Sequence, residues 1–450
     1  MTNNENIVKD PEELLKTLDT LHPNDIANSL RKIANENIED FFDILRKISE
    51  DSLGEVLLEL PDALREEAYK NLSIEKLTDA VDELDSDDAT DVIQELEEID
   101  ESRAKEVFEG LEEEDKQDIS WLKRYEDNEA GSYMQTELFS VLLDESIGTS
   151  VLRLKQMKEE GLAKNIHQVF VVNKHKSLKA AIYLEDLIIY DFDKTYADVI
   201  KNDENNFKAI SVQDDEDISK VAQIFENYDL AVVPVIGYQG ILLGRITSDD
   251  ILDVVEQSAT QQIYQLAGVD DEYEHEDDLF HTSKKRATWL FVNLLTALLA
   301  SLVIGLFDKT IESFVALAVL MPIVASMGGN AGTQTLTVMV RQLALGLIDY
   351  DNSKEAIKKE ILVSLINGLA FALIVGFVAY FWFHIPLLGL VIALSMIINL
   401  FSAGLFGASI PLVLKKFNID PAIGSTVLLT TVTDIVGFFS FLGLAKLILL

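Results

Sequence analysis

The 450-residue chain contains no cysteine. That excludes disulfides, thiolate metal sites and a cysteine nucleophile, and it leaves the redox compartment open. Basic side chains are scarce: 37 Lys and Arg stand against 77 Asp and Glu, a formal net charge of −40. A surface this acidic repels phosphates, so nucleic acid is not an expected partner. The six histidines (22, 167, 175, 275, 281 and 384) form no i,i+4 ligand pair. There is no P-loop, no GxGxxG and no nucleophile beside a base, so an enzyme is not expected. The opening MTNNENIVKDPEELL has neither a basic nor an apolar segment, and a signal peptide is not expected either.

Charge itself is missing from the last third. Residues 287–450 hold 8 Lys and Arg and 8 Asp and Glu, so residues 1–286 hold the other 29 and 69 and the whole −40. Five stretches carry almost no charge: 287–307, 313–340, 361–383, 387–414 and 422–445. Each reaches the roughly 20 residues a helix needs to cross about 30 Å of hydrocarbon. Basic residues set the orientation. Lys284, Lys285, Arg286, Arg341, Lys354, Lys358, Lys359, Lys415 and Lys416 all fall on one side, with Lys309 and Lys446 on the other. Residues 1–286 are therefore expected in the cytoplasm and the C-terminus outside, in a multi-pass protein of the cell membrane.

Two of the spans are unusual. The second contains Met321-Pro322 and then Gly328, Gly329, Asn330, Gly332, Thr333, Gln334 and Thr335. Proline removes a backbone donor and glycines weaken a helix, so a break is predicted, facing protein or a wet cavity. Close helix packing alone accounts for Gly328 and Gly332. It does not account for the polar side chains, which suit a pore wall. The fifth span carries Thr430, Thr431, Thr433 and Asp434, and Asp434 is the ionisable residue set well inside a span. A carboxylate at the bilayer centre costs about 2.5–3.5 kcal/mol. A protonated structural Asp, proton coupling or a cation from solution each meets that cost. A hydrated Mg²⁺ suits a lone carboxylate, and a twofold axis would bring two copies of Asp434 to one ion.

The acidic part has two sections. Residues 10–125 read as helices, with Leu60-Pro61, Leu72-Ser73, Leu84-Asp85, Ile99-Asp100 and Leu111-Glu112 recurring at intervals of 12, 12, 15 and 12. Ser73 and Ser86 read as N-caps, with Glu75, Asp87 and Asp88 in the first turns. Short helices at near-constant spacing predict a small superhelical stack. Residues 134–257 switch to β-α units. Gln168–Val172 with Leu178–Tyr183 predicts a hairpin before a helix, and Ala231–Ile236 with Ile241–Ile246 repeats it, Ile182 and Asp186 returning 64 residues later as Ile246 and Asp250.

The order of these parts, with Tyr125–Met134, Met321-Pro322…Gly328–Gln334, Asn399…Pro411…Asp420–Ala422 and Thr430–Asp434, resembles the MgtE family of magnesium transporters. The β-α pair resembles tandem CBS domains. The resemblance implies a multidomain membrane protein. It would have an all-α superhelical N-terminal domain (1–130), α/β CBS domains (131–200 and 201–257), a connecting plug helix (258–283) and a five-helix α transmembrane domain (284–450). It further implies a homodimeric Mg²⁺ channel in the lipid bilayer. Asp434 would select the ion, with Asn330, Gly328, Gly329, Thr430, Thr431 and Thr433 around the pore. Cytosolic Mg²⁺ would bind between the domains and close it. The implied regulatory ligands are Asp249, Asp250 and Asp253, Asp87, Asp88, Asp91 and Glu95, and Asp214 and Glu216. The chain departs from the family at Gln261 and Gln262, where acids are usual, and Thr426 stands where Gly or Asn is frequent; acids arrive later, at Asp270–Asp278. CBS pairs often bind adenine nucleotides, and Thr247 with Asp250 fits the Thr-x-x-Asp pattern for ATP. The alternatives are a proton- or Na⁺-coupled carrier of Co²⁺ or Mn²⁺, and a CBS-regulated receptor that moves no ion.

Overall fold

The computed structural model describes residues 7–160, 165–202, 207–269, 279–350, 352–417 and 419–450. The chain divides into two units, Met1–Glu256 and Gln257–Leu450. The acidic residues 270–278, read above as late-arriving acids, lie outside the described residues.

In the first unit, eight α-helices come first: α1 Pro11–Thr17, α2 Pro23–Glu36, α3 Ile38–Leu45, α4 Glu50–Leu58, α5 Asp62–Asn71, α6 Ile74–Asp82, α7 Ser86–Gly110 and α8 Glu113–Leu122. The recurring Leu-polar pairs are their boundaries. Leu60-Pro61 precedes α5, Leu72-Ser73 precedes α6, Leu84-Asp85 precedes α7 and Leu111-Glu112 precedes α8. Ile99-Asp100, the pair with the longer interval, marks a kink inside α7, where Asp100 is extended (φ −154°, ψ 92°). Its carboxylate accepts from the N–H groups of Ser102 and Arg103 at 3.1 Å, which caps the rest of the helix. The apolar member of each pair packs on one continuous core that includes Leu60, Leu72 and Leu111. Ser73 caps α6 as expected, accepting from the N–H of Lys76. Ser86 does not cap α7. Asp85 occupies that position, and Ser86 is the first helical residue.

Next come β1 Ser140–Leu142, α9 Ile147–Glu159, β2 Gln168–Val172, β3 Leu178–Tyr183, α10 Leu184–Leu187, α11 Tyr196–Asn202, β4 Val212–Gln213, α12 Ile218–Tyr228, β5 Val232–Ile236 and β6 Leu242–Thr247. Two three-stranded sheets form, β1-β2-β3 and β4-β5-β6, each with one parallel and one antiparallel pairing. The registers repeat: Val169 faces Ile182 and Val233 faces Ile246, both 64 residues on. The helix α13, Ser248–Leu266, follows β6 without interruption, so the connecting helix expected from 258 has no break of its own at Gln257.

The second unit contains α14 Leu279–Gly305, α15 Asp308–Ser313, α16 Val315–Ala344, α17 Lys354–Phe383, α18 Pro386–Lys416 and α19 Ser425–Ile448. Five are long and apolar enough to cross a membrane: Thr282–Gly305, Val315–Ala344, Lys354–Phe383, Pro386–Lys416 and Ser425–Ile448. The short α15, which holds Asp308 and Lys309, was not foreseen. α18 is the hub and packs on α16, α17 and α19. The predicted break in the second span is absent: α16 is continuous through Pro322 and the glycines. Pro322 lacks one N–H, but in lipid any further unwinding would expose more unpaired backbone. The glycines serve close approach instead. A methyl group on Gly407 of α18 would lie 2.8 Å from the carbonyl oxygen of Gly332.

Candidate functional site

The membrane helix α16 has two faces. Gly328, Gly332, Thr335 and Leu336 are buried against the protein. Ser326, Asn330, Gln334 and Thr337 are exposed on the surface of one chain. At a 3.6-residue period, 326, 330, 334 and 337 form one stripe. A polar stripe cannot be left to hydrocarbon, so it needs water or another protein surface. Within the stripe Asn330 Nδ2 reaches Ser326 Oγ at 3.5 Å, and nothing else in the chain occupies its amide among the described residues. Gly329 lies beside it, half-buried.

Asp434 stands ten residues into α19, half-buried, with no hydrogen bond or ion pair among the described residues. The neighbouring hydroxyls do not help it. Thr430 donates to the carbonyls of Thr426 and Val427, Thr431 to Val427, and Thr433 to Thr430. Thr433 is fully buried, so it does not line an aqueous path as expected. Residue 433 lies one position off Asp434, about 100° around the helix, and that turn carries it into the bundle. A second acid, Glu360 in the second turn of α17, was missed because it falls one residue before the uncharged stretch. Its Oε2 accepts from the buried Thr335 hydroxyl of α16 at 3.2 Å.

At the start of α19, Gly424 is left-handed (φ +67°) and the Thr426 hydroxyl donates to the carbonyl of Leu266 at 3.0 Å. A cavity of about 420 Å³ lies there, lined among others by Gln265, Arg286, Trp289, Thr426 and Thr430. Thr430, which lines this cavity, is one helical turn from Asp434. Thr426, unassigned from the sequence, thus ties the start of α19 to the end of α13.

The second cluster is in the first unit. Asp87, Asp88 and Asp91 on α7 face Asp250 at the start of α13, with Asp249 beside Asp88, whereas the charged neighbours of Asp253 are Glu256 and Asp249 on its own helix. Asp87 is buried, with Oδ1 unpartnered. Burial, then Asp250 and Asp88, raises its pKa well above the ordinary carboxylate range. Asp88 is pushed up to about 7 by burial, then by Asp250 and Asp91. Asp91, whose side chain still reaches solvent, is pushed up to about 7 by desolvation, then by Glu95 and Asp250. Asp250 goes to about 6 by burial, offset by the Thr247 hydroxyl that donates to its Oδ2 at 2.6 Å. Asp253 is raised by burial and then by Glu256 and Asp249. The buried Arg245 guanidinium faces Asp85, Glu137, Asp87 and Asp249. These are carboxylates that repel one another and lack enough counter-charge. Among the described residues no three acid or imidazole side chains converge as a ready inner-sphere cage. The arrangement suits a cation that keeps its water.

Other expected ligands stand apart. Glu95 sits at the edge of the cluster, raising the pKa of Asp91, but its own carboxylate is held by Arg65 at 2.7 Å and accepts from the Tyr69 hydroxyl at 3.0 Å. Asp214 accepts from the Tyr125 hydroxyl at 3.1 Å, and Glu216 is half-buried beside it in sequence with its carboxylate 3.5 Å from the Gln213 N–H. The Thr247–Asp250 pair satisfies itself, which caps α13. Ser86 was misread: its hydroxyl bonds Glu137 at 3.0 Å and accepts from the Thr136 N–H at 2.9 Å, tying α7 to the segment before β1.

Sequence profiles match in the same order: the MgtE intracellular N domain over residues 21–128, the CBS domain over 205–257, and the MgtE divalent cation transporter over 321–444. The magnesium transporter MgtE of Thermus thermophilus is 30% identical over 448 residues, 98% of this chain and 96% of that protein. The magnesium transporter MgtE of Enterococcus faecalis is 33% identical over 334 residues, 74% of this chain and 72% of that protein. A solved structure of the cytosolic domain of the Mg²⁺ channel MgtE in complex with ATP aligns at 28% identity and a TM-score of 0.49, covering 54% of this chain and 95% of that one. With similarity running end to end through N domain, CBS domain and membrane helices, the chain belongs to the MgtE family of magnesium transporters.

Proposed function

We propose that the chain forms a homodimeric, Mg²⁺-selective channel in the cell membrane, held shut when cytosolic Mg²⁺ is high. The observation that carries the pore is the uncovered polar stripe of α16 together with a carboxylate on the adjoining α19 that no side chain neutralises among the described residues. Two copies meeting across that face would enclose the stripe in water and place both Asp434 side chains about one hydrated ion. Mg²⁺ sheds water reluctantly, so Asp434 would act on its hydration shell, and Asn330 would accept from or donate to those waters. An ion of lower charge density gains less from a fixed pair of carboxylates, which gives selectivity without a dehydrating cage.

Gating follows from the acidic cluster. Empty, the α7 and α13 carboxylates repel; with Mg²⁺ between them they are drawn together. Asp249, Asp250 and Asp253 begin α13 and Leu266 ends it, so one helix carries both the sensor carboxylates and the carbonyl that takes the Thr426 hydroxyl. An ordered cluster would hold the 265–269 segment over the pore mouth. Thr247 and Asp250 also offer a ribose the hydroxyl and carboxylate that ATP recognition uses. The basic residues at the ends of α16, α17 and α18 favour a cytoplasmic N-terminus and an outside C-terminus. Mg²⁺ flux into liposomes tests the reading. Asp434→Ala should abolish it in a protein that still purifies as the same oligomer, and normal flux would overturn the pore assignment. Flux that needs a proton gradient would favour the coupled carrier.

A further inference from the structure

α18 contributes nothing to the polar stripe and carries no charge until its last turn, yet it buries one amide. Asn399 is fully enclosed. Its Nδ2 donates to the backbone carbonyl of Val324 on α16 at 2.8 Å. Its Oδ1 has no hydrogen-bond partner among the described residues. Glycines face it from both sides. A methyl group on Gly328 of α16 would overlap the amide, and one on Gly437 of α19 would lie 2.8 Å from Nδ2. The amide thus fills a slot that two helices have cleared by having no side chain there.

We infer that Asn399 is a positioning residue for ion conduction: it fixes the axial height of α19 against α16, and with it the place of Asp434 relative to Asn330. The inference rests on the pore reading above. Gly437 is three residues from Asp434, so the two share a helix face, and a shift of the Gly437 backbone carries Asp434 with it. On α16, the Val324 carbonyl and Gly328 hold the turn just before Asn330. Apolar packing alone specifies height poorly, because a smooth apolar surface can slide. A donor aimed at one carbonyl, wedged between two glycines, cannot slide without losing its bond in a medium that offers no other. The unpartnered Oδ1 sharpens the point: a group buried for packing alone would be cheaper as Leu, the residue type common elsewhere in α18.

The test uses the full-length protein in liposomes, reading the Mg²⁺ concentration for half-maximal flux and the Mg²⁺/Na⁺ permeability ratio. Asn399→Ala should raise the half-saturating concentration at least threefold and lower the ratio by a similar factor. Gly437→Ala should cut flux at least tenfold, because its methyl meets the amide. The double variant Asn399→Ala/Gly437→Ala should recover most of that loss, the space removed on one helix accepting the methyl added on the other. Met396→Ala, about one turn away in α18 in an apolar cluster with Ala372 and Leu400, is the control for general loosening: it should lower the melting temperature and leave the ratio unchanged. If Asn399→Ala does not fold, Asn399→Ser replaces it. Wild-type half-saturation and permeability ratio in a folded Asn399 variant, or no recovery in the double variant, would overturn the inference. Asp434→Ala measured alongside separates the two failures, since normal flux in that variant rejects the pore itself.

Discussion

The two units treat carboxylates in opposite ways. In the cytoplasmic unit many acids crowd one cleft, and each makes its neighbour harder to ionise: Asp88 and Asp91 rise to about 7 and Asp250 to about 6. In the membrane unit Asp434 stands midway along α19 with no charged side chain acting on it among the described residues. A crowded cluster gains steeply from each cation that enters and loses little when one residue is removed, because the others share the ion. A solitary carboxylate has no reserve. On the proposed reading, the first arrangement would serve as a sensor that responds over a range of concentration, and the second as a filter that a single substitution disables.

Substitution breaks this contrast most directly at Asp434. Asp434→Ala should reduce Mg²⁺ flux by at least a hundredfold in a vesicle assay, while Asp88→Asn alone should leave maximal flux within about twofold of wild type. The double variant Asp88→Asn/Asp250→Asn should shift the Mg²⁺ midpoint for protection of residues 1–256 from protease several-fold upward; an unmoved midpoint would remove the cluster from gating. Acidity sharpens the comparison at smaller scale. Acids whose ionisation is opposed in the compact state hold extra protons there, so their contribution to stability is full at low pH and is lost as pH rises from about 4 through 7. Without Mg²⁺, protease protection in the full chain should therefore increase from pH 8 to pH 5. With saturating Mg²⁺ that slope should flatten, because the ion takes the proton's place. Smallest of all, Glu95→Gln should leave the Mg²⁺ midpoint unmoved and cost about 1 kcal/mol in thermal unfolding, since Glu95 serves Arg65 and Tyr69.

Features encoded by nearest neighbours and period were legible in the sequence. The uncharged stretches became the membrane helices, the Leu-polar pairs became helix boundaries with a capped kink at Ile99-Asp100, and the 64-residue repeat became two sheets of matching register. What escaped depends on distant partners. Nothing near Glu95 in sequence announces Arg65, thirty positions earlier and two helices away, and nothing near Asn399 announces Val324, 75 residues before it. The misreading of α16 has another cause. Proline and glycine weaken a helix in water, where a broken turn finds solvent; in lipid the broken turn costs more than the residues save by breaking it.

The three central helices, α16, α17 and α18, run for 30, 30 and 31 residues. At 1.5 Å per residue that is about 45 Å, half as long again as a typical hydrocarbon layer of about 30 Å. In a bilayer of that thickness the first turns of α17 and the last turns of α16 and α18 would stand outside the oil, carrying Lys354, Lys358, Lys359, Arg341, Lys415 and Lys416 to the headgroups. A thicker membrane would engulf those cations and a thinner one would strand apolar turns in water, so helices of this length favour a bilayer of particular thickness, and in the proposed channel helix tilt would couple conduction to the surrounding lipids.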